Sequence, residues 1–327
     1  MTGLLLSFGT TAGERRNVWI DADPACGFGV TDDVDDCWAI IAALRSSSLN
    51  IAGISTVFGN IRLAKVKVAT AQLMDAVRTH EPALMLPPVF MGASRPVRKY
   101  PAMSGGVVEL ERALEKKSMD ILALGPLTNI ALLLKKRPDL VHRINSIIAV
   151  AGQRPDEDFK IGRTPLLHFH DMNFRMDVEA FDIVLRSGVS LYLIPFEVGR
   201  QFSVTRSDLE KLKYQGGLDK WLGNKSLGWM SFWNDTLGAE GFSPFDFVAT
   251  VWMLNHNTLD CEVVSAEIVR RKGLFVVRDT LEIGPVNENE NVVTWCPSVN
   301  RSFWSTGVGL LDFLRGKNRK TQFAAPS

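Results

Sequence analysis

Continuous apolar runs alternating with amphipathic ones constrain this chain more than any other feature. "NVWID" (17–21) and "LNIAGISTV" (49–57) are short β-branched runs, and between them "DDCWAIIAALRSS" has helical length and an apolar stripe. "RLAKVKVATAQLMDAVRTH" (62–80) spaces its apolar residues three and four apart and reads as a second helix. "MDILALGP" (119–126) has the composition of a buried strand, and "LTNIALLLKKRPDL" that of the helix after it, with Pro138 near its end. "INSIIAVAG" and "SLYLIPFEV" are two more continuous apolar strands, the kind found where helices cover both faces of a sheet. The rhythm predicts an α/β fold built on an open, mostly parallel, twisted sheet flanked by helices.

In such sheets the ligand crevice lies beyond the carboxyl ends of the strands. Asp21 and Asp23, "GN" at 59–60 and "GPLT" at 125–128 each follow the end of an expected strand, so three polar loops converge on one crevice. From about residue 203 the texture becomes helical and Trp-rich, with Trp221, Trp229 and Trp233, and several strand-like runs follow between Glu262 and Val293. No repeat or Pro/Ser-rich linker divides the chain. The expected organisation is an N-terminal extension over 1–16, a single α/β domain over 17–315 with a helical lobe near its C-terminal third, and a tail over 316–327.

Within this frame "VWIDADPACGFGVTDDVDDCWAII" stands out. It places six aspartates (Asp21, Asp23, Asp32, Asp33, Asp35 and Asp36) between a strand-like and a helix-like apolar run. Carboxylates that close repel one another at neutral pH unless a cation or a shared proton relieves them. Asp35 or Asp36 can cap the following helix, and in "SPFD" Ser243 reads as N-cap, Pro244 as the first helical residue and Asp246 as the capping-box acid. Capping does not account for Asp21 and Asp23, which end a buried strand. A hard divalent cation with roughly six to eight oxygen ligands accounts for them together. The His and Cys residues have no zinc spacing.

The remaining composition excludes little. Net charge is +1, which gives no argument for nucleic acid or an anionic membrane surface as partner. The longest apolar runs fall short of the roughly 18–20 residues of a membrane span. The N-terminal patch lacks a basic flank before it and makes a poor signal peptide. Four scattered cysteines (Cys26, Cys37, Cys261, Cys296) are expected as free thiols in a reducing, cytoplasmic setting.

Four stretches in order then resemble the nucleoside hydrolase family. "IDADP……DDCWAI" is similar to its N-terminal DxDPGxDDxxAI signature, "GISTVFGN" to "GITTVxGN", "LALGPLTNIALLL" to "GPLTNIA", and "DMNFRMDVEAFDIVL" to "EFNxxxDPEAA". "SPFDFVAT" falls where that family has its C-terminal metal-binding aspartate. The resemblance implies calcium-dependent hydrolysis of the N-glycosidic bond of ribonucleosides, giving free base and ribose. It implies Asp23, Asp36, the Thr128 carbonyl and Asp246 as calcium ligands, with Asp23 also the base that activates the bound water. It further implies Asp35, Asn60, Asp171 and Asn173 at the ribose, Asp21 as support behind the ligands, and a homodimer or homotetramer. The chemistry suits the residues, since anionic groups stabilise an oxocarbenium-like transition state.

The chain departs from the family in places. Ten residues, "ACGFGVTDDV", separate Pro24 from Asp35 where the family usually has two, so Asp32 and Asp33 compete with Asp35 and Asp36 for the paired role. The later pair is favoured because it runs on into the helix; Asp32 and Asp33 are read as solvated. Asp171 replaces a usual Glu, and Phe245 stands where many members have a His that protonates the leaving base. His168, His170, Trp229 and Trp233 are the candidate base contacts beside Phe245, against exposed-loop and core readings. Two rival functions stay open here: a haloacid-dehalogenase-type phosphatase with Asp21 as nucleophile, and a nucleoside- or ribose-binding relative without turnover.

Overall fold

The computed structural model describes residues 15–29, 31–99, 103–154, 170–272, 277–287 and 291–316. Its strands, in chain order, are β1 (Arg16–Ala22), β2 (Leu49–Thr56), β3 (Val89–Met91), β4 (Met119–Ala123), β5 (Ile144–Val150), β6 (Leu191–Ile194), β7 (Val204–Thr205), β8 (Gly241–Phe242), β9 (Leu259–Lys272), β10 (Val277–Gly284) and β11 (Asn291–Val299). Nine of them form one sheet in the order β10-β9-β11-β6-β5-β4-β1-β2-β3. Pairing is parallel from β11 through to β3, and β9 runs antiparallel to both of its neighbours. β1 lies between β2 and β4, so the chain leaves it in one direction and later returns on its other side. That reversal opens a crevice at the carboxyl ends of β1, β2 and β4.

Alternation along β1 shows why the sheet is covered on both faces. Val18, Ile20 and Ala22 pack into one layer, while Trp19 packs into the other with Ile121, Ala123 and Ile147. The first layer holds α1 (Asp35–Arg45) and α2 (Leu63–His80), and the second α3 (Gly105–Lys116) and α4 (Thr128–Lys136). Two short helices, α5 (Met172–Met176) and α6 (Val178–Leu185), follow β5, and α7 (Phe196–Gly199) follows β6. The helical lobe comprises α8 (Arg206–Gln215), α9 (Gly217–Ser231) and α10 (Phe245–Leu254), and α11 (Arg301–Trp304) and α12 (Leu310–Leu314) close the described chain. No helix among the described residues is long and apolar enough to cross a membrane.

Three local expectations are corrected. "SLYLIPFEV" does not continue as strand: β6 stops at Ile194, because Pro195 has no N–H for the ladder and instead caps α7. Ser243 does not cap α10; Pro244 holds that position without a side-chain bond, and the Asp246 N–H donates to Asp35 Oδ2 at 3.1 Å from another helix. The cysteines are not free. Cys26 pairs with Cys37 and Cys261 with Cys296, at Cα separations of 5.6 and 4.0 Å, because folding brings together residues that sequence spacing keeps apart.

Trp38 shows how the lobe is fastened to the sheet layer. It is fully buried on α1, contacts Phe242 and Phe247 at ring separations of 6.1 and 5.7 Å, and donates its indole N–H to Ser226 Oγ on α9 at 3.1 Å. Trp38→Ala should cost about 3–5 kcal/mol in urea unfolding, and Trp38→Phe clearly less.

Candidate active site

The crevice at the switch point is floored by carboxylates. Asp21, Asp23, Asp35, Asp36 and Asp246 are each between 0 and 4% exposed. Asp21 and Asp23 come from the end of β1, Asp35 and Asp36 from the first turn of α1, and Asp246 from the first turn of α10. One carboxylate oxygen from each of Asp35, Asp36 and Asp246 lies within 4.8 Å of the others. Asp23 adjoins this triad: its N–H donates to Asp36 Oδ1 at 3.2 Å. The Asn60 N–H donates to Asp23 Oδ2, and the Asn60 amide reaches Asp36 Oδ2 at 3.2 Å. Asp23 Oδ1 is buried with no hydrogen-bond partner.

Two glycines make room for Asp23. A Cβ on Gly59 would overlap Asp23 Oδ2, and one on Gly125 would come within 2.6 Å of Asp23 Oδ1. The "GN" and "GP" turns after β2 and β4 therefore close on that carboxylate from two sides, which only residues without a side chain permit.

Asp21 lies deeper. Its Oδ1 accepts from Ser55 Oγ and, at 2.7 Å, from the Asn129 amide, while Trp19 Nε1 donates to Ser55 Oγ at 2.8 Å. Asp21 is fully buried behind these partners, an arrangement that does not favour the phosphatase reading. Thr128 is buried at the start of α4 with its hydroxyl donated to Asp177 Oδ2 at 2.6 Å.

Above the acids is a cleft of about 160 Å³. Asp33, Asp35, Asn60, Asp171, Asn173 and Asp246 line its polar side. Asp171 faces it with both oxygens engaged, accepting from Gly152 N–H at 2.6 Å and Phe174 N–H at 3.1 Å. The Asn173 amide donates to the carbonyls of Leu124 and Val150 at 2.8 and 2.9 Å, at the ends of β4 and β5. The opposite wall is aromatic. Phe196 stacks on Phe245 at 4.7 Å, and Trp229 stacks on Phe232 at 5.3 Å beside Trp233. Phe232 and Trp233 belong to a one-turn π segment, Phe232–Thr236, that continues α9. His170 also lines the cleft, and His168 lies outside the described residues.

Sequence reasoning missed three of these groups. Asp33 is half-buried and does more than face solvent: its Oδ1 accepts from the N–H groups of Val34 and Asp35 at 2.5 and 3.1 Å, and Asp32 Oδ2 accepts from the Gly29 N–H at 2.7 Å. Phe196 entered the cleft because Pro195 broke the strand, a signal readable in "IPF". Phe232 follows Trp229 by three, the spacing that puts two side chains on one helical face.

Burial pushes the acids upward in pKa. Asp21 rises to about 7 by desolvation, against the hydrogen bonds from Ser55 and Asn129. Asp23 rises to about 8, first by desolvation and then by the charges of Asp35 and Asp21. Asp36 and Asp246 are raised well above the usual range by burial and by one another's neighbours. Among the described residues no lysine or arginine lines the cleft to compensate. A hard divalent cation fits this donor set: hard oxygens from the first turns of α1 and α10, plus the unsatisfied Asp23 Oδ1 beside them.

An acid whose folded pKa exceeds its unfolded value of 3.8 contributes stability that is complete below that value and lost as pH rises through the folded one. Chelator-treated protein should therefore show a falling urea midpoint from pH 5 to pH 8. Calcium or Asp23→Asn should flatten that slope, and a rising midpoint would contradict the assignment.

Comparison with known proteins agrees with this geometry. Residues 18–305 match the family model described as inosine-uridine preferring nucleoside hydrolase. An uncharacterized protein of Schizosaccharomyces pombe is 23% identical over 305 residues, covering 83% of this chain and 91% of that one. Uridine nucleosidase 1 of Arabidopsis thaliana is 27% identical over 242 residues, 63% of this chain and 64% of its own length. A plant nucleoside hydrolase structure superposes with a TM-score of 0.73 at 20% identity, covering 92% of this chain and 99% of that one, a likeness of fold. The chain belongs to the inosine-uridine preferring nucleoside hydrolase family, and is thereby a hydrolase of the nucleoside class.

Proposed function

We propose that this chain hydrolyses the N-glycosidic bond of ribonucleosides, releasing base and ribose, with calcium as its resident cation. The observation that carries this reading is the convergence of Asp35, Asp36 and Asp246 beneath an aromatic-walled cleft. These three would hold the ion, with Asp23 beside them. Bound there, calcium supplies a polarised water and a grip on the sugar diol.

The protein groups do the rest. Asp23 Oδ1, unsatisfied and hemmed in by Gly59 and Gly125, takes the proton of the attacking water. Asn60 holds the other Asp23 oxygen and so fixes the base in place. Asn60 and Asn173, anchored at strand ends, meet the ribose hydroxyls, and the anionic floor stabilises the positive charge that develops on the sugar as the bond breaks. Phe245, stacked on Phe196, cannot donate a proton. The leaving base therefore lies against aromatic faces, and His170 also lines the cleft.

Residues 17–315 are read as one such unit, and its assembly as a dimer or tetramer. The cytoplasmic expectation rested on a poor signal peptide and on free cysteines, and the two disulfides remove the second of these grounds.

The test is ribose release from a panel of purine and pyrimidine nucleosides. A chelator should abolish release and added calcium restore it. Asp23→Asn should lower kcat by about 10²–10⁴-fold while nucleoside binding persists. No release from any nucleoside by calcium-loaded protein would sink the reading.

A further inference from the structure

The hydrolysis just proposed makes no use of the extra residues between Pro24 and Asp35, yet these are folded into the site with care. Cys26 and Cys37 are both buried, at 1 and 0% exposure, and Cys37 directly follows Asp36. Cys26 and Gly27 take consecutive left-handed conformations, with φ of 50° and 58°. A side chain at Gly27 would overlap the Lys225 carbonyl of α9, so the turn is wedged against the helix that carries Trp229. The ammonium of Lys65, on α2, sits 5.5 Å from the Phe28 ring.

From this turn a chain of contacts leads to the acids. The Gly27 N–H donates to the Asp33 carbonyl at 3.0 Å. Asp33 Oδ1 accepts from the N–H of Asp35, and Asp35 Oδ2 accepts from the N–H of Asp246. Each link fixes the next, and the covalent bond closes the path back onto the residue after Asp36.

We propose that the Cys26–Cys37 disulfide is a positioning element of the active site: it clamps the turn at residues 26–29 to α1, so that Asp33 holds Asp35 and keeps the carboxylates of Asp35 and Asp36 convergent with that of Asp246. Without the bond the eleven-residue separation is spanned by noncovalent contacts alone, and the loop regains conformational freedom that competes with the ordered turn. The site is thereby sensitive to a dithiol reductant. Two thiol–disulfide exchanges oxidise the dithiol to its cyclic disulfide and pass two electrons and two protons to the sulfurs of Cys26 and Cys37.

This inference uses the nucleoside reading only to choose the activity assay, so the experiment has two readouts that stand apart from turnover. Calcium affinity is measured by titration calorimetry, and amide hydrogen exchange is followed over residues 33–38, for oxidised protein, dithiothreitol-treated protein and Cys26→Ala/Cys37→Ala. Alkylation and mass spectrometry report which thiols have opened. Opening should weaken calcium binding by about 10–100-fold, speed exchange over 33–38 and raise the nucleoside KM, while unfolding stays cooperative. Cys261→Ala/Cys296→Ala should keep native calcium affinity and remain sensitive to the dithiol. If the first double variant does not fold, Asp33→Ala replaces it, because it cuts the same path one link further on. Unchanged affinity and exchange with Cys26 and Cys37 shown open would overturn the proposal. An oxidised protein that binds calcium but hydrolyses nothing would count against the nucleoside reading and leave this one to the calorimetry.

Discussion

Mutual repulsion among buried carboxylates is the constraint around which this protein is arranged. Five aspartates approach one another at the carboxyl ends of a parallel sheet, where no lysine or arginine among the described residues lines the cleft. Four of them, Asp21, Asp23, Asp35 and Asp36, are held by hydrogen-bond donors that cannot move far: backbone N–H groups of Asn60, Asp246 and Asp23, and the buried Ser55 and Asn129 side chains. Donors of this kind partly offset desolvation without neutralising the charge. The nest is consequently polar, buried and electron-rich, which is what both a hard cation and a sugar cation in the making require.

The same arrangement fixes the helices. α1 and α10 have no side-chain caps of their own. Their first-turn amides are satisfied by acids of the site, Asp33 for α1 and Asp35 for α10. Local helix stability and site geometry are thus one set of bonds, and displacement of any acid disturbs the start of a helix as well as the cleft.

Much of this was legible in the sequence because it depends on strict periodicities. The apolar runs at 17–21, 49–57, 119–126 and 144–152 became adjacent parallel strands, and the polar residues placed just after them met in one crevice. The acids at Asp23, Asp35, Asp36 and Asp246 could be nominated because a carboxylate after a buried strand or in a helix start has few structural reasons to be one of several. What escaped was decided by tertiary contact. The disulfides depend on distances through space, and the role of Asp33 depends on a loop that bends back through two left-handed residues. Phe196 could be placed only by seeing that Pro195 outweighs the strand propensity around it.

The cleft is assembled from two sources. Its acidic floor comes from strand ends and the helix starts packed on them, whereas Trp229, Phe232 and Trp233 come from α9 and the π turn that follows, in the peripheral lobe. Substitutions in that turn can reshape the aromatic wall while leaving the floor's hydrogen bonds intact. A lineage carrying this fold can accordingly explore new ring systems without renegotiating the chemistry beneath them, and the lobe is where divergence should accumulate.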